Sequence, residues 1–209
     1  MKIIHFILLS ATFIILGTCQ KKTESAFNIN DYLIPQNEAL PELSIFNLPA
    51  DWVNQHGKAV KLADFRGKPT VMVMIYTSCQ AACPRLTADM SLINKQIPEK
   101  LRAYTNFVFV SIDPLVDTPE KTTEHLKKYQ LNGKEWHFLT GTEENTRQFS
   151  MILGVKYKQI SPIDFSHSNT ISLFDLNGNL VHQISGLNAD NQELIAKLIE
   201  LGKISKELN

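Results

Sequence analysis

The chain has 209 residues, 44% of them hydrophobic, with 21 basic and 21 acidic side chains. That length suits one domain of ordinary size with an extension, and the apolar fraction is enough to build a core. Zero net charge, with no run of basic residues to follow a phosphate backbone, leaves no electrostatic case for a nucleic-acid partner.

The first element in chain order is not part of a fold. Lys2 precedes an apolar stretch from Ile3 to Leu16, broken only by His5, Ser10, Ala11 and Thr12. Such a stretch covers roughly 21 Å at helical rise against about 30 Å of bilayer core, so it predicts a secretory signal rather than a spanning helix. Leu16-Gly17-Thr18-Cys19 follows and resembles a bacterial lipoprotein signal, in which Cys19 becomes the lipidated first residue. The alternative is a short uncleaved anchor with Cys19 a bystander. Both place the domain outside the cytoplasm, on the periplasmic side of a membrane in a bacterial cell envelope. The expected organisation is an export signal over 1–19, a polar tether over 20–40 and a folded domain over 41–209.

Within the domain, Asn54-Gln55-His56-Gly57-Lys58 reads as a hairpin turn leading to Val60-Lys61-Leu62. Val71 to Tyr76 is apolar on both alternating faces, as in a strand covered on both sides. A helix from about Pro84 to Ile97 aligns Leu86, Met90, Ile93 and Ile97. Phe107 to Ile112 is a second buried strand. Thr118-Pro119-Glu120 supplies an N-cap, a proline at the first helical position and an early acid for a helix to about Tyr129. A third helix spans roughly Glu143 to Leu153 and stops at Gly154. Asn169 to Asp175 and Leu180 to Ile184 form two strands joined by a turn-rich link, and Asp190 with Glu193 opens a last helix to about Lys206. Strand and helix alternating, then a hairpin and a closing helix, is the order of a thioredoxin-like α/β layer.

Cys79-Gln80-Ala81-Ala82-Cys83-Pro84 stands directly behind the first buried strand, at the sheet end where open α/β folds place their sites. Two cysteines four apart on an opening helical turn put both sulfurs on one face, near the positive helix end that favours thiolate. Their α-carbons would lie roughly 6 Å apart, within the disulfide range of about 4.4–6.8 Å. The pair can therefore hold a soft metal, exchange disulfides or attack a peroxide. With Cys19 at the processing site, no disulfide framework remains to staple the fold.

Four stretches resemble the Sco/SenC family of copper-binding thioredoxin-fold proteins, over roughly Leu43 to Leu201. They are Leu62 to Pro69; Tyr76-Thr77-Ser78-Cys79 through Cys83-Pro84; Val110 to Pro114 with Asp117 to Glu120; and Trp136 to Thr142 with Asp164-Phe165-Ser166-His167-Ser168. The resemblance implies that Cys79, Cys83 and His167 are metal ligands for copper, as Cu(I) or Cu(II). It implies a metallochaperone, not an enzyme, that delivers copper to the CuA-type site of cytochrome c oxidase, with nitrous-oxide reductase another possible recipient. Cu(I) prefers thiolates and tolerates low coordination, which suits two cysteines and one imidazole.

The other histidines read differently: His5 in the signal, His56 in a turn, His125 on a solvated helix face, His137 packed between Trp136 and Phe138, His182 on a peripheral strand. Met72 and Met74 read as core. Asp113, Asp117 and Asp164 could line the site, although helix initiation explains Asp117 as well. The alternative function is a thiol-disulfide oxidoreductase with Cys79 and Cys83 as its redox pair, reducing an acceptor's cysteines. Three residues between the cysteines, and Ser166-His167-Ser168 where thioredoxins carry a cis proline, favour metal. Met74 to Ser78 lacks the peroxiredoxin proline–threonine set. Structural zinc sites normally close with four ligands, and three are nameable here.

Overall fold

A computed structural model describes residues 39–208. The expected export signal, with Cys19, and nearly all of the expected tether lie outside the described residues, and no described helix is long and apolar enough to cross a membrane.

The chain builds a seven-stranded mixed sheet in the order β2-β1-β5-β4-β3-β8-β9. β1 (Asp51–Asn54) and β2 (Ala59–Lys61) form the expected hairpin, closed by the Asn54 N–H donating to the Lys58 carbonyl at 2.9 Å. β3 (Thr70–Ile75), β4 (Asn106–Ser111) and β5 (Trp136–Thr140) run parallel, with Val71 paired to Phe107 and Phe107 to Trp136. Every residue of β3 and β4 is buried, which requires cover on both sheet faces. Met72 and Met74 are part of that core.

α1 (Ala82–Gln96) and the short α2 (Glu99–Arg102) cross from β3 to β4, and α3 (Pro119–Lys128) crosses from β4 to β5. Thr118 caps α3 by accepting from the Lys121 N–H, as its Thr-Pro-Glu start predicts. α4 (Glu143–Ile152) packs Phe149 edge-on against Trp52 of β1. Two short strands, β6 (Tyr157–Gln159) and β7 (Phe165–His167), then form a separate hairpin. β8 (Thr170–Phe174) returns antiparallel to β3 and pairs with β9 (Leu180–Ser185). The β8–β9 turn is held by Asp175, whose carboxylate accepts from the Asn177 and Asn179 N–H groups. Gly178 there has φ +81°, and a Cβ on it would strike Ser44 Oγ at 2.6 Å. α5 (Gln192–Leu208) closes the domain and lies along α2. Its first turn is set by the Gln192 N–H donating to Asp190 rather than by the expected Asp190–Glu193 box.

The expected thioredoxin-like fold, a mixed central sheet flanked by helices, is present. β5 and the β6–β7 hairpin were not anticipated, because strands of three to five residues leave little periodicity to read.

Candidate metal centre

β3 ends at Ile75, and Tyr76 to Ala81 form the loop that enters α1. Cys83 lies in the first turn of α1, but Cys79 lies before the helix, so the two do not share a helical face as expected. They meet for another reason. No side-chain oxygen caps α1 at Ala81; instead the Cys83 N–H points at Cys79 Sγ, 3.5 Å away. A sulfur stands where a capping oxygen normally would.

The two thiols therefore differ. Burial alone would raise Cys79, but hydrogen bonds from the Cys83 N–H and thiol, the Ala81 N–H and the Tyr76 hydroxyl outweigh it and hold the thiol below its usual range. Cys83 is only 1% exposed. Its burial first, then the adjacent Cys79 and Asp117 charges, push its thiol well up. The helix end thus favours thiolate at Cys79 and not, without a bound cation, at Cys83.

His167 arrives from a distant part of the chain, at the end of β7. Its Nε2 is 3.5 Å from Cys83 Sγ. Nδ1 lies 3.1 Å from the Ser168 carbonyl, which can only accept, so Nδ1 carries the proton and the Nε2 lone pair faces the sulfurs. Burial lowers the pKa of this ring, which favours the neutral form that ligates. Cys79, Cys83 and His167 each offer one donor atom, all within 4.8 Å of one another, the only such group among the described residues. Bond lengths of about 2.0–2.3 Å to a shared ion bring donors to about 3.5–4 Å apart, so small adjustments suffice. Two sulfurs and one imidazole match a soft monovalent ion better than a four-coordinate structural zinc.

Tyr76, expected as the last residue of the strand but lying just beyond it, holds the β7 side in place. Its hydroxyl receives the Phe165 N–H at 3.2 Å and lies 3.5 Å from an Asp164 oxygen. Its ring meets Phe165 and His167 edge-on. Burial, with the adjacent cysteines, pushes its phenol up to about 12. An aromatic at the carboxyl end of a strand was the available signal.

Asp117 holds the cysteine loop. It accepts from Thr77 Oγ1 at 2.5 Å, the Thr77 N–H at 3.1 Å and Ser111 Oγ at 2.6 Å. Burial raises its pKa against these hydrogen bonds. It ties the ends of β3 and β4 together and does not touch His167. Asp113 is also raised, by burial and then by Asp117. Asp164 reaches the site only through Tyr76.

His125 is not on a solvated face: it is 7% exposed, between α3 and α1. Thr87 Oγ1 donates to the Cys83 carbonyl at 2.9 Å, so His125 Nε2–H donates to Thr87 Oγ1 at 3.0 Å. Burial, then Lys128, lowers this ring to about 4. His137 packs edge-on against Phe65, and His182 lies on the edge strand β9 near Glu193. His56 sits exposed in the β1–β2 turn. A cavity of about 490 Å³ opens beside Cys79, between Thr77 and Ser78 and the surface of α3.

Comparison with known proteins agrees with this geometry. The SCO1/SenC family pattern matches residues 41–203. The chain is 30% identical over 97 residues to the SCO1 protein homolog of Bacillus subtilis, covering 46% of this chain and 50% of that protein. It superposes with a SCO1/SenC family lipoprotein from Bacillus anthracis at a TM-score of 0.68 with 28% identity, covering 78% and 99% of the two chains. Bradyrhizobium japonicum ScoI, solved with copper bound, gives a TM-score of 0.59 with 25% identity over 73% and 97%. With the family pattern running through most of the domain and the two cysteines and the late histidine brought together, the chain belongs to the SCO1/SenC family.

Proposed function

We propose that this protein is a copper chaperone, tethered to a membrane outside the cytoplasm through lipidated Cys19 or a short N-terminal anchor. Cys79, Cys83 and His167 bind one copper ion as cargo, and the protein passes it to the CuA-type site of a respiratory oxidase. The observation that carries this reading is the convergence of two sulfurs and a deprotonated imidazole nitrogen within 4.8 Å. The copper-bound relative and the lipoprotein relative support it.

Handover proceeds by ligand exchange. A thiol of the acceptor bonds to copper, the bond to a chaperone sulfur breaks, and the freed sulfur takes up the proton released by the incoming thiol. No electron moves, and the acceptor must approach within bonding range of the cargo.

Copper stoichiometry of the full chain in detergent tests the reading. The expected result is about one copper per wild-type chain, with at least a tenfold loss of affinity in Cys79→Ser, Cys83→Ser and His167→Ala. Full retention by His167→Ala would remove that residue from the site.

A second reading is favoured by the contrast between the two thiols. A lowered Cys79 beside a buried, raised Cys83 also suits an attacking and a resolving thiol in a disulfide reductase. Turnover of a disulfide peptide by wild type and His167→Ala alike, without copper retention by wild type, would select it.

A further inference from the structure

The cavity beside Cys79 has a chemical character that copper binding alone does not require. Its wall includes Thr77, Ser78 and Cys79 on the loop, and Lys121 and Lys128 on α3. Neither Cys83 nor His167 lines it, so a group that enters through this cavity meets Cys79 first. Lys121 and Lys128 stand seven apart on one helical face, both exposed. Among the described residues neither is in an ion pair, and Lys128 Nζ lies 5.5 Å above the Tyr129 ring at the end of α3. Glu124 is the single acid in the wall, and His125 is held neutral.

Resting on the copper-carrying reading, we propose that this cavity receives an acidic, thiol-bearing segment of the acceptor protein, and that exchange begins at Cys79. Two thiolates around one monovalent ion leave a negative centre, which opposes the thiolate that an incoming thiol becomes as it gives up its proton. Two ammonium groups beside the entry offset that repulsion and attract carboxylates flanking the incoming thiol. In the exchange the acceptor sulfur bonds to copper, the Cys79 Sγ–copper bond breaks, and Cys79 takes the proton given up by the incoming thiol. The oxidation state does not change.

The test uses the copper-loaded full chain in detergent and two synthetic peptides, each with one cysteine, flanked by aspartates in one and by lysines in the other. The quantity read is the acidic-to-basic ratio of copper-transfer rates, compared between wild type and Lys121→Glu/Lys128→Glu so that the peptides' own affinities cancel. At low ionic strength the ratio falls about tenfold in the variant, and the difference closes at high salt. Lys127→Glu, on the side of α3 that lines a different cavity, leaves the ratio unchanged. A metal-free arm reads the reduced protein's attack on a dianionic aromatic disulfide against dicationic cystamine. There the Cys79 thiolate forms a mixed disulfide and expels the other half as thiolate, with the same expected shift. A ratio indifferent to the double charge reversal overturns the proposal. A wild-type chain that holds no copper overturns the chaperone function instead, and the metal-free arm then decides whether the groove selects charge.

Discussion

At Cys79 and Cys83 one side-chain type meets two environments, and the difference comes from neighbours rather than from the spacing. Cys79 collects hydrogen bonds, while Cys83 is buried in the first turn of α1 with its carbonyl engaged by Thr87. The spacing pointed to adjacent sulfurs, but one capping contact produces the adjacency, and no periodicity encodes that. His125 was misread for a related reason. Its neighbours Glu124, Lys127 and Lys128 are charged, and the tertiary contacts with Thr87, Phe109 and Phe138 show that the ring turns inward. Its burial has a pH consequence. The folded ring titrates at about 4, below the usual 6.5, so between these values the unfolded chain binds a proton that the folded chain does not. Its contribution is therefore fully present above pH 6.5 and is lost as pH falls through that window, by up to about 3 kcal/mol. Denaturant melts of wild type and His125→Phe between pH 7 and 4 should show the wild type losing this extra increment; parallel curves would contradict the burial argument.

On the scale of elements, the site is assembled where three separate pieces end. β3 delivers Tyr76 and the cysteine loop, β4 leads to Asp117, and β7 delivers His167. Their junctions are side-chain contacts: Asp117 to Thr77 and Ser111, and Tyr76 to the β7 backbone. The long elements were legible because burial on both faces and the Thr-Pro-Glu start of α3 leave local marks. The β6–β7 hairpin was not, since its pairing of Tyr157 with His167 joins short segments with no repeating pattern. Asp117→Ala leaves the Thr77 N–H and two hydroxyls without their shared acceptor. It should cost about 1–3 kcal/mol of stability and weaken copper binding about tenfold. Equilibrium unfolding and a competitive copper titration check both, and unchanged copper affinity at reduced stability would make Asp117 an anchor of the fold alone.

Across the whole molecule, rigidity is unevenly distributed. β3 and β4 lie inside the seven-stranded sheet with all residues buried, whereas β6 and β7 pair only with each other. Such a two-stranded ribbon opens locally far more readily than central strands. Two donors thus sit beside the stiffest part of the protein, and the third on a ribbon joined to it through Tyr76 and not through a strand ladder, a division that suits capture and release of a cargo. Amide hydrogen exchange of the metal-free chain should show residues 157–167 exchanging well before β3 and β4, with copper slowing the hairpin selectively. Equal protection of hairpin and central strands without copper would contradict this division.

Copper-edge X-ray absorption of the Cu(I)-loaded full chain measures the donor set itself, beside the same spectrum for His167→Ala. The expected spectrum contains two sulfur neighbours and one imidazole nitrogen, with the imidazole scattering absent from the variant. A wild-type spectrum without the imidazole, or one that His167→Ala leaves unaltered, would contradict the account.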